Sequence, residues 1–141
     1  MAEPDPFNLA RFVQAQQHVY DGALSELRRG LKTGHWMWFV LPQIAGLGFS
    51  DMSQRYAISG LDEARAYLAH PVLGPRLREC AQAVADHSDR TAEQIFGGID
   101  AVKLRSSMTL FHRADPDEPV FADVLDKFFD GVQDEATDRR L

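Results

Sequence analysis

Apolar positions recur along most of the 141-residue chain at three- and four-residue spacings, the period of a helix with one buried face. Leu9, Phe12 and Val13 stand at i, i+3 and i+4, behind Asp5 and Pro6 as cap and first turn. Val19, Ala23, Leu27 and Leu31 follow at fours, with Gly30 or Gly34 as the terminator. A third helix begins at Ser59 and carries Asp62 and Glu63 in its first turn, at the positive end of the helix dipole. His70-Pro71 ends it, because a residue before proline avoids helical geometry. Leu73, Leu77, Cys80/Ala81 and Val84 pattern a fourth helix. Ala101, Leu104, Met108 and Phe111 pattern a fifth, opened by Asp100. Phe121, Val124, Leu125 and Phe128 pattern a sixth, entered through Pro119. Ser53–Ile58 and Thr91–Phe96 add single turns.

Strand signals are scarce. The best candidate is His35–Leu41, where Trp36, Trp38 and Val40 alternate with Met37, Phe39 and Leu41. Both sets are apolar, so the run is equally a short helix or a buried irregular segment. Residues 42–51 contain Pro42, Gly46 and Gly48 and read as a loop. The pattern predicts an all-α, compact single-domain bundle of about six helices with a short irregular Trp-rich segment. The domain spans 5–129, and 130–141 is a charged, acidic C-terminal tail that could be helical.

Composition narrows the class. The chain is long enough for a core without staples, and its fourteen aromatics are more than a disordered chain would carry. The net charge is −6, and its placement is uneven: residues 1–114 carry as many bases as acids, whereas 115–141 carry nine acids against three bases. That argues against non-specific nucleic-acid binding, which needs cations against phosphates. The longest nearly apolar run, Trp36–Leu41, is far short of a membrane span. Cys80 is the single cysteine, which rules out an internal disulfide and suits a reducing cytoplasm. The acidic, Pro-rich start has no secretory pattern. The five histidines show no metal-ligand spacing, so no metal or other cofactor is expected. No serine lies in a nucleophile elbow.

Two segments could carry chemistry. Gly34–Gln43 holds both tryptophans, Trp36 and Trp38, with His35 and Gln43 at its ends. It reads as an aromatic pocket wall or as plain core. Lys103–His112 places Leu104, Met108 and Phe111 on one helical face; Lys103, Arg105, Ser106 and Ser107 beside it could hold an anion, or Lys103 could pair with Asp100 at the helix start. Gly46-Leu47-Gly48 lacks the remainder of a nucleotide fingerprint. Arg55 and Tyr56 follow that loop and could line the same cleft.

Taken together, Asp5-Pro6-Phe7-Asn8-Leu9-x-Arg11-Phe12, His35-Trp36-Met37-Trp38-Phe39-x-x-Pro42-Gln43, Gly46-Leu47-Gly48, Gln54–Ile58, Tyr67-Leu68-x-His70–Gly74 and Lys103–Phe111 resemble an uncharacterised bacterial family, domain of unknown function 1810. Some of its members are mislabelled calpastatin, a long disordered inhibitor unlike this chain. The resemblance implies a compact, mostly helical fold. It implies no activity, cofactor or catalytic residue.

The expectation is a small protein whose function is unknown and which binds a small anionic ligand, phosphorylated or nucleotide-like. The site would comprise His35, Trp36, Trp38, Gln43, Arg55, Tyr56, Lys103, Arg105, Ser106 and Ser107. If catalysis occurs, His35 is the acid or base. Neither nucleic acid nor membrane is expected as a partner, and protein partners are left open. The alternative is a non-enzymatic interaction or structural module in which the Trp segment is core.

Overall fold

A computed structural model describes residues 4–141. Ten helices occur among them: α1 Ala10–Gln16, α2 Tyr20–Arg29, α3 Met37–Val40, α4 Asp51–Arg55, α5 Leu61–Ala69, α6 Leu73–Ala85, α7 Ala92–Phe96, α8 Gly98–Ala114, α9 Pro119–Phe129 and α10 Glu135–Asp138. The six longer ones are the six that the spacing predicts. The other four are single turns of four or five residues.

Local chemistry explains most boundaries. The Asp5 carboxylate accepts from the Leu9 and Ala10 N–H groups and opens α1. Gly30 adopts the left-handed conformation (φ 80°) and closes α2, so Gly34 is not the terminator. His70 is extended before Pro71, and its Nδ1 accepts from Val72 and Leu73 N–H at the start of α6. Thr91 and Gln94 form a capping box on α7. The run His35–Leu41 is not a strand: Trp36 O accepts from Phe39 and Val40 N–H, which closes the turn of α3. Among the described residues the only β pairing is an isolated parallel bridge, Ile44 to Ile58.

α8 is the axis of the molecule, packed by α5, α7, α9 and α10. Leu104, Met108, Leu110 and Phe111 are inaccessible to solvent in the core. Residues 132–138 are bound to the same helix. Arg105 donates to Val132 O (2.8 Å) and Gln133 O (3.0 Å), Ser106 donates to the Asp134 carboxylate, and Thr109 accepts from Asp134 N–H. Thr137 is buried, and Arg113 pairs with Asp138 at 3.0 Å. The charged tail therefore forms one side of the domain.

Candidate functional site

The Trp segment and the start of α8 meet through a ladder of charges and rings. Lys32 and Lys103 grip opposite oxygens of Asp100 at 2.8 and 3.3 Å. The Lys32 ammonium lies 5.0 Å from the Trp36 ring centroid, and that of Lys103 lies 4.8 Å from the Trp38 ring centroid. Burial pushes the Asp100 pKa up, but the two ammonium groups outweigh it and hold the carboxyl below its ordinary range. At the edge of the Trp36 ring, Glu26 Oε1 accepts from the indole N–H and also from Thr33 N–H and Gly34 N–H. Burial again raises, and these donors more than offset it, so Glu26 also sits below its usual range.

Trp36 is 2% exposed and belongs to the core, whereas Trp38 is half-buried. It lines the smaller of two adjoining cavities. A cavity of about 160 Å³ is lined by Trp38, Gln43, Tyr56 and the loop from Ile44 to Gly48. A cavity of about 450 Å³ lies between that loop and α8, walled by Leu47, Ile99, Val102 and Ala136, with Gln43, Ser53, Lys103, Ser106 and Asp134 as its polar members. Gln43, Leu47, Gly48 and Ser53 border both.

The loop owes its shape to close approaches. Ala45 N–H donates to Ile58 O, and Ile58 N–H donates to Gln43 O. Ser50 caps α4 by accepting from Ser53 N–H. Gly46 has φ 94°, and a methyl group there would meet the Arg140 guanidinium at 2.9 Å. At Gly48 a Cβ would come within 2.6 Å of Ser53 Oγ. The C-terminal segment thus reaches over the glycine loop as well as along α8.

Of the ten residues the sequence nominates, five border the two cavities: Trp38, Gln43, Tyr56, Lys103 and Ser106. His35 is exposed and lines neither cavity. The Arg55 guanidinium lies over the Tyr56 ring, 5.6 Å from its centroid, outside both. Arg105 is occupied by tail carbonyls and Ser106 by Val102 O and Asp134. Ser107 is fully buried, its hydroxyl unpartnered. The Lys-Leu-Arg-Ser-Ser run therefore does not converge on one anion. Residues two apart on a helix lie about 200° apart around it, so Lys103 and Arg105 face different surroundings.

Three of the residues lining the smaller cavity have a polar group with no hydrogen-bond partner among the described residues: the Trp38 indole N–H, the Gln43 side-chain amide and the Tyr56 hydroxyl. The neighbouring polar side chains of Arg11, Gln16, Glu26, Glu63 and Arg105 each make one or more. Sequence reasoning missed Lys32, Ile99, Val102, Asp134 and Arg140. Ile99 and Val102 did carry a signal, since they are apolar yet fall off the Ala101–Phe111 stripe. Among the described residues no cluster of His, Cys, Asp and Glu is placed to hold a metal ion, and no helix is long and apolar enough to cross a membrane.

A solved structure, that of a conserved hypothetical protein from Mycobacterium tuberculosis, matches with 52% identity and a TM-score of 0.96, over 97% of this chain and 98% of the other. Among curated proteins the chain has no match. The model of a family described as "Protein of unknown function (DUF1810)" matches residues 6–141, and the chain belongs to that family.

Proposed function

We propose that the protein binds a small anionic ligand in the double cleft between the 42–51 loop and α8. The observation that carries this is the unpartnered trio of Trp38, Gln43 and Tyr56 around the smaller cavity, joined through Gln43 and the Trp38 ring to the ammonium of Lys103 at the larger one. Small-molecule sites are apolar walls with a few convergent polar groups, and this one has that character. Lys103 supplies the charge, because one oxygen of Asp100 at 3.3 Å leaves two of its three donors for a ligand. Gln43, which borders both cavities, can orient a ligand that spans them. Trp36 is assigned to the core and Trp38 to the site. No residue is assigned a catalytic role: His35, the one nominee, lines neither cavity. The mycobacterial neighbour and the lone, buried Cys80 support a bacterial cytoplasmic setting.

The test is thermal shift followed by calorimetric titration with acetate, benzoate, inorganic phosphate, sugar phosphates and nucleoside monophosphates. A ligand at a hundred times its Kd adds about 2.7 kcal/mol of stability. Lys103→Met and Gln43→Ala should each abolish that gain. If no anion stabilises the protein, or if the Lys103→Met variant responds equally, the proposal fails.

A further inference from the structure

We infer that the anion is a single carboxylate carried on an apolar body, rather than a phosphorylated or polyanionic compound. This rests on the cleft being the binding site. The charge inventory argues for one negative charge. Lys103 is the one cation bordering the 450 Å³ cavity, and Asp134 borders it too. Arg105 and Arg55 are held elsewhere, and Arg140 crosses Gly46 without lining either cavity. Asp100 stands 3.3 Å from the same ammonium. A doubly charged phosphate would meet one ammonium already paired with Asp100, in a cavity that Asp134 also borders, whereas a carboxylate brings a single negative charge against the same groups.

The apolar inventory argues for the body. Ile99 and Val102 are 78% and 60% exposed, one turn apart on α8 and immediately before Lys103. Leu47 and Ala136 complete the apolar lining of the same cavity. An anion on Lys103 therefore has a strip of unpartnered aliphatic side chain beside it. A hydrocarbon chain laid along that strip is removed from water together with it. Specificity then divides by position: Lys103 selects the charge, and Ile99 with Val102 selects the chain.

Straight-chain carboxylates from butanoate to octanoate, with octanol and inorganic phosphate as controls, test this by calorimetric titration at pH 7. Affinity in the wild type should rise about threefold to fourfold for each methylene buried. The paired substitutions Ile99→Ser and Val102→Ser sit on an exposed surface and leave the fold intact; they should flatten the series. Lys103→Met should lower octanoate affinity at least tenfold and leave octanol unchanged. A flat series, with phosphate bound at least as tightly, overturns the inference while leaving the cleft a charge-only anion site. A chain-length dependence that survives the paired substitutions also overturns it, since the chain then binds elsewhere. Absence of binding by every probe, phosphate included, removes the cleft reading itself.

Discussion

Asp100→Asn is the most informative single change, because Asp100 is the shared counter-ion of two lysines whose ammonium groups lie over the two tryptophans. The side chain of Lys32 is 7% exposed and that of Asp100 20%, so the pair lies between the limits of exposed and buried ion pairs. Exposed pairs contribute about 0–1 kcal/mol, and removing one partner of a fully buried pair costs about 3–5 kcal/mol. Lys32 would keep Gly34 O and the Trp36 ring as partners, and Asn would keep one accepting oxygen. The expected cost is therefore about 2 kcal/mol, or about 6–8 °C in Tm for a chain of this length. The sign with pH is fixed by the depressed pKa of Asp100. Its contribution is fully present above the ordinary value of 3.8 and is lost as pH falls through the lower folded-state value. Urea unfolding of both proteins from pH 7 down to pH 3 measures this directly. The gap should be constant down to about pH 5 and shrink below pH 4. A cost below about 0.5 kcal/mol, or a gap as large at pH 3 as at pH 7, would refute the role given to this carboxylate.

The same variant frees Lys103 of its internal partner and should tighten carboxylate binding a few-fold while it lowers Tm; unchanged or weaker binding in titration would contradict the placing of Lys103. Gly74→Ala should be the harshest of the glycine substitutions, with a Tm loss of more than 10 °C, because a Cβ there would sit 2.1 Å from Leu68 O, a backbone atom that cannot swing aside. Gly46→Ala should cost less, about 1–2 kcal/mol by chemical denaturation, since it strains φ but presses on a movable arginine. Arg105→Ala should release the segment from Val132 onward, seen as faster amide exchange at 132–138 with the α5 and α8 amides unchanged. Burial pushes the Cys80 thiol up to about 12, so a thiol reagent at pH 8 should modify it only in the unfolded protein.

The helices were legible because burial of one face imposes a spacing that the chain displays over ten to seventeen residues at α2, α6, α8 and α9. The short turns were less so. In α3 every position from Met37 to Val40 is apolar, and a wholly buried segment carries no period to distinguish turn from strand. The docking of residues 130–141 was not legible. It depends on Arg105 and Thr109 meeting carbonyl and amide groups some 25 or more residues away, and backbone groups have no signature in sequence. A run of nine acids against three bases reads as solvated tail, yet Asp134 and Asp138 are bonded to Ser106 and Arg113.

The candidate site was half legible, and the division has a physical cause. Residue type reveals what a side chain can do, but not whether another part of the chain has already engaged it. Arg105, Ser106 and Arg55 look like ligand groups and are occupied within the fold. Satisfaction of polar groups is therefore the discriminating property, and its absence means different things at different depths. The Ser107 hydroxyl is buried without a partner, so it costs stability and offers no ligand access. Trp38, Gln43 and Tyr56 border a cavity, where water can satisfy their polar groups until a ligand displaces it. An unpartnered group that water can reach costs the fold nothing and is already placed to bind. Position completes the distinction: these three residues and Lys103 border the cavities, whereas His35 lines neither and Arg105 is engaged by the tail carbonyls.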